Sequence, residues 1–125
     1  MRSDVPSALT SSERALLAGF LSFDFEGVAA LRAQAARVTA RRGCTSGCGT
    51  ISFVHDRFDD ASSSPDSLVP VEGSVDDDDG QSVGGLLLIL RDGLLDQMEI
   101  YAVDADPLPL PDLRRVTWWR SDGGG

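Results

Sequence analysis

The sequence predicts an α+β fold: two N-terminal helices packed on one face of an antiparallel sheet of about four strands, with a long acidic loop before a C-terminal hairpin. Three observations carry that expectation. Thr10-Ser-Ser-Glu13 has the spacing of a capping box and opens an apolar stripe at helical intervals. Asp92-Gly93, a dipeptide that type I′ turns favour because both central residues take positive φ, joins two apolar runs. Residues 56–79 hold nine acids against one base, Arg57, and few large apolar side chains.

The 125 residues suit a single domain, 1–125, large enough for one hydrophobic core. Within it, residues 1–9 are expected to form a flexible tail, 57–82 a mobile acidic loop and 120–125 a frayed end. Leu16, Leu17, Phe20 and Leu21 place the first helix at 11–21. Asp24 is the candidate cap of the second, where Val28, Leu31, Ala35 and Val38 share a face while Arg32, Gln34 and Arg37 point away. Val38 and Thr39 are β-branched, so this helix should give way to a strand near residue 37.

That strand runs into RRGCTSGCGT, residues 41–50, and returns as TISFVHD, with Ile51, Phe53 and His55 on one face. The acidic stretch follows, and SLVPVEG within it could pin its middle to a sheet edge. In the hairpin, a two-residue turn at Asp92-Gly93 would set Arg91 against Leu94, Ile89 against Asp96, Leu87 against Met98 and Gly85 against Ile100. One face would then hold Leu87, Ile89, Met98, Ile100 and Ala102, expected under the helices. The other would hold Leu86, Leu88, Leu90, Leu95 and Tyr101, a second apolar face in need of a cover from the C-terminal segment or another chain. DADPLPLPDL excludes helix, and RRVTWWR offers a last short strand.

The chemistry-bearing candidates are few. Cys44 and Cys48, with the single histidine His55, supply three soft or borderline ligands where structural zinc wants four. The plainer expectation makes Gly43, Gly47 and Gly49 a sharp connection and the cysteines small buried side chains, with no cofactor. Aligned on Gly80, VDDDDGQ puts Val75 and Leu86 at the first and last positions of a calcium loop, so that motif fails. Gly84-Gly85 precedes no lysine and no helix, so it is no phosphate loop. No catalytic constellation emerges.

LRAQAARVTARRGCTSGCGTISFVHD and LLLILRDGLLDQMEIYAVDADPLPLPDL, roughly residues 25–56 and 83–113, carry a likeness. They resemble a group of small uncharacterised hypothetical proteins from actinobacteria. Those have a helix ending in LR-x-Q, a C-G-C-P-[ST] turn and a D-G-x-L-x-x-L-E-[VI]-Y strand. This chain departs at the turn, with Ser46 where a third cysteine often sits and Gly49 in place of proline. The resemblance implies fold and compartment and brings no activity with it.

All eleven basic residues are arginine, and the formal net charge is −9. Residues 56–79 carry −8 of it, so the remainder is close to neutral and lacks the clustered positive charge that nucleic-acid binding uses. No apolar run approaches the length of a membrane span, and no signal segment is visible, so a cytoplasmic location is expected. The leading expectation is a non-enzymatic interaction protein of inhibitor or immunity type. Its partner would be a basic protein, steered by Asp76, Asp77, Asp78 and Asp79, with Trp118 or Trp119 at the interface. A homodimer through the second apolar face is the rival use of that surface. The alternative function is a zinc- or thiol-dependent regulatory module centred on Cys44, Cys48 and His55.

Overall fold

The computed structural model describes residues 6–42, 49–55, 67–91, 93–103 and 108–120. Helices α1 (Ser11–Phe20) and α2 (Val28–Ala35) precede strands β1 (Thr39–Arg41), β2 (Ile51–Val54), β3 (Ser67–Leu68), β4 (Val71–Asp76), β5 (Ser82–Arg91), β6 (Leu94–Ala102) and β7 (Val116–Arg120). Every pairing is antiparallel, in the order β1-β2-β6-β5-β4-β7, and β3 attaches to β5. The α+β class therefore holds. The strand count does not: the described residues form seven strands, not about four.

The extra strands come partly from the stretch expected to be a loop. Val69, Val71 and Val75 are 1%, 0% and 3% exposed, and residues 71–76 alternate buried and half-buried along β4. Proline, glycine and the acidic run mask that period-2 pattern in the sequence. Residues 67–76 are thus built into the sheet, β4 lying between β5 and β7, and the expected 57–82 loop is corrected to that extent.

Two local expectations at the N-terminus part ways. The capping box forms: the Thr10 hydroxyl accepts from the Glu13 amide at 3.1 Å, and the Glu13 carboxylate accepts from the Thr10 amide at 2.9 Å. Asp24, however, does not cap α2. Gly27 holds that place at φ 90° with no side-chain bond, while Asp24 pairs with Arg32 at 3.5 Å and lends its carbonyl to Arg120 at 2.8 Å. Lacking a cap, α2 is tied down through Gln34. Its amide donates to the Gly93 carbonyl at 3.1 Å and accepts from the Leu95 amide at 2.8 Å, fixing the helix to the hairpin.

Nor is the segment before α1 a tail throughout. Ser7 and Ala40 exchange backbone hydrogen bonds of 3.0 and 2.8 Å, and Leu9 is 6% exposed in the core. Arg42 locks this corner. It donates to both Glu13 oxygens at 2.8 and 2.6 Å, to the Ser7 hydroxyl at 2.5 Å and to the Ala8 carbonyl at 3.0 Å. Glu13 is the one buried charged residue among those described. Burial pushes its carboxyl upward, but hydrogen bonds from Arg42 and the Thr10 amide outweigh that and hold it below its ordinary 4.5.

The hairpin starts as expected, with Arg91 opposite Leu94 and Gly93 at φ 80°. After Leu90 meets Leu95 the register shifts, so Ile89 faces Gln97, Leu88 faces Met98 and Leu86 faces Ile100. One extra residue on β6 is a bulge, and it moves every later partner by one place. The core face of the hairpin is accordingly Leu86, Leu88, Leu95, Met98 and Ile100, exposed by 0, 0, 1, 0 and 4%. Of the expected set, Met98, Ile100 and the half-buried Ala102 keep that side, whereas Leu87 and Ile89 turn to the other. Leu16, Leu17 and Phe20 of α1 and Leu31 of α2 complete that core on the helix side.

The proline-rich segment borders the same core. The Gly49 amide donates to the Leu108 carbonyl at 3.0 Å, and Leu108 and Leu110 pack partly buried against the cluster. A Cβ at Gly49 would lie 2.7 Å from the Leu110 Cα, so glycine there permits the close approach.

Candidate functional site: the outer sheet face

Alternation along the strands puts a second set of side chains on the face away from the helices. The hydrogen-bonded register arranges them in rows. Leu68, Ile89, Gln97, Ser52 and Arg41 lie side by side across β3, β5, β6, β2 and β1. Thr117, Ser74, Gly85 and Tyr101 form the next complete row across β7, β4, β5 and β6. Between these rows, Leu87 faces Glu99 and Glu72 faces Trp119.

Tyr101 owes its place to Gly85. A Cβ at Gly85 would fall 2.6 Å from the Tyr101 Cζ, so the ring lies across the bare glycine backbone. Leu68, Tyr101 and Trp119 are 52%, 38% and 41% exposed, and Leu87 and Ile89 are half-buried. Glu72 and Glu99 stand among them, half-buried as well. The surface thus has leucine and isoleucine on its central strand β5, Tyr101 on β6 and Trp119 on the edge strand β7, interleaved with acids, a composition close to that of protein interfaces except for its negative charge.

The two adjacent tryptophans divide as strand alternation requires. Trp119 projects from the outer face. Trp118 points inward, meeting Phe20 edge-on with ring centroids 4.8 Å apart, and its ring crosses Gly73 and Gly19. Trp118 is therefore corrected from an interface candidate to a support of the core.

The four aspartates also divide. Asp76 ends β4. The Asp77 carboxylate accepts from the Asp79 amide at 2.8 Å and the Gln81 amide at 2.9 Å, bracing the turn into β5, where Gly80 takes φ 81°. Asp78 pairs with Arg115, just before β7. Asp79 is exposed. Beside them lies an open cleft of about 410 Å³ lined by Asp76, Asp77, Asp78, Asp112, Arg114 and Arg115. Its charges meet in pairs, Arg114 holding Asp112 at 3.2 Å and drawing that carboxyl below its usual range. Of the run, Asp76 and Asp79 are the acids with no hydrogen bond or ion pair from their carboxylates among the described residues.

Cys44 and Cys48 lie outside the described residues. His55 ends the β2 segment, half-buried, with Nε2 2.8 Å from the Leu95 carbonyl oxygen. Among the described residues no three His, Cys, Asp or Glu side chains gather as a metal requires, and no helix is long and apolar enough to cross a membrane.

Sequence reasoning named Trp119 and the aspartates but missed Glu72 and Glu99 as partners of the aromatic surface. It also assigned Leu87 and Ile89 to the wrong side. Only the register shift in β6 reveals the true face, and it leaves no mark in the sequence. No family model, curated protein or solved structure matches the chain.

Proposed function

We propose that this protein is a non-enzymatic binding module of inhibitor or immunity type. It engages a basic protein through the outer sheet face, with Trp119 and Tyr101 as anchors and Glu72 and Glu99 as charge partners. What supports the reading is that two aromatic rings and three leucine or isoleucine side chains share with carboxylates a face that no element among the described residues covers, on a chain of net charge −9. Large rings supply most of the energy of such contacts, and lysine or arginine heads from the partner would neutralise the acids and stack on the rings. Two copies of the same face would set acid against acid, which favours a foreign partner over a homodimer.

Native mass spectrometry of the untagged protein, purified from its own host, tests this directly. A basic protein is expected to stay bound to the wild type and to be lost from a Trp119→Ala/Glu72→Lys variant. A chain that comes through alone, or a partner held equally by the variant, would count against the outer face.

A further inference from the structure

We propose that the groove between α1 and α2 binds a medium-chain fatty acid, its carboxylate held by Arg14. The groove holds about 370 Å³, within the range usual for small-molecule sites. Arg14, Leu17 and Ala18 on α1 and Leu21 at its C-cap stand at i, i+3, i+4 and i+7 and so share one face. Ala35 and Ala36 form the opposing wall at the end of α2. The floor is fixed, because Leu17 and Leu21 are also core residues, 2% and 4% exposed. The walls are open because Ala18, Ala35 and Ala36 have no side chains long enough to fill the trough. An aliphatic chain is what such a surface accommodates.

Its two ends differ, and the difference selects the occupant. Arg32 crosses one end, donating through Nε to the Leu21 carbonyl at 2.8 Å and reaching Asp24 at 3.5 Å. Its guanidinium is engaged and closes that end. At the other end Arg14 is exposed, and among the described residues no acceptor takes its guanidinium. An arginine fork suits a carboxylate in bidentate contact. From Arg14 to Leu21 the helix rises about 10 Å, the length available to an alkyl chain. A trough with one charged mouth and one closed end suits a ligand with a single anionic head. A helix laid through it would have to displace Arg32.

The test is isothermal titration with dodecanoate, read together with amide chemical shifts. Saturable one-to-one binding is expected, with shifts at Ala18, Ala35 and Ala36. Arg14→Glu should weaken it by about tenfold or more, since repulsion replaces a charge-assisted pair. Ala18→Trp should abolish it by filling the trough. Both positions are exposed on α1, so thermal melts of the variants should match the wild type. Dodecyltrimethylammonium, with the opposite head charge, should bind more weakly than dodecanoate. Failure of dodecanoate to saturate, equal affinity in Arg14→Glu, shifts centred on Trp119, or Ala18→Trp instead dissociating a dimer would each overturn the assignment.

Discussion

At the scale of single residues, Trp118 and Gly19 form one unit. A Cβ at Gly19 would come within 2.6 Å of the Trp118 Cε2, so the glycine is the space the ring occupies. Helix propensity alone says Gly19→Ala should stabilise by about 1 kcal/mol. Overpacking against a ring pinned by Phe20 and Gly73 costs about 1–3 kcal/mol, and that effect should win. Urea unfolding is therefore expected to show Gly19→Ala destabilised in the wild type and stabilised in a Trp118→Ala background. Trp118→Ala itself should cost about 2–3 kcal/mol, discounted from a fully buried ring because the side chain is half-buried. Trp119→Ala should cost well under about 1 kcal/mol. Equal losses for the two tryptophans would mean that their assignment to opposite faces is wrong.

Glu13 gives a second residue-scale prediction. Its folded carboxyl lies below 4.5, so the ionised form contributes stability above the unfolded value. That contribution fades as pH falls through the lower folded value. Glu13→Gln should cost about 1–3 kcal/mol at neutral pH, since it leaves the Arg42 cation with a neutral partner. The gap between variant and wild type should then narrow as the pH drops below 4.5. A gap that stays constant down to acid would show that the Arg42 charge is not what Glu13 serves.

At the scale of elements, what could be read from the sequence was whatever is local. Thr10 and Glu13 are three residues apart, and the Asp92-Gly93 signal is a single dipeptide, so both features declare themselves in a short window. The bulge does not. Leu95 and Met98 both reach the core only because Asp96 and Gln97 occupy the space of one ordinary residue between them, and that depends on which face the helices cover. β4 was hidden for a related reason: two valines, Val71 and Val75, suffice as its buried side because Leu86 and Trp118 fill the space above Gly73. The bulge makes a testable claim. Deleting Asp96 removes the extra residue and leaves Ile89 opposite Gln97, Leu88 opposite Met98 and Leu86 opposite Ile100, so the faces are kept. That deletion is expected to keep a cooperative urea transition, whereas deleting Glu99, past the bulge, would turn Ile100 outward by a one-place slip and abolish it. Loss of cooperative unfolding in the Asp96 deletion, or tolerance of the Glu99 deletion, would mean the register is not set there.

At the scale of the molecule, the question is how a charge of −9 is spent. Counting acids along the chain treats Asp76, Asp77, Asp78 and Asp79 as one steering patch. The structure separates them: Asp77 holds a turn and Asp78 holds Arg115, which leaves Asp76 and Asp79 as the two whose charge can be removed without breaking a contact among the described residues. Removing the whole run would break the connection between β4 and β5 and confound any binding result with misfolding. Asp76→Asn/Asp79→Asn removes two charges and leaves those internal contacts in place. If a basic partner is steered by this end of the sheet, the double variant should associate more slowly at low salt and show a flatter dependence on ionic strength. Its dissociation rate should barely change, because distant exposed charges act on encounter more than on the docked complex. Stopped-flow association at low and physiological salt separates the two. A loss confined to the dissociation rate would place these aspartates inside the contact instead. Unchanged association at both salts would leave Glu72 and Glu99, beside the rings, as the acids the partner meets.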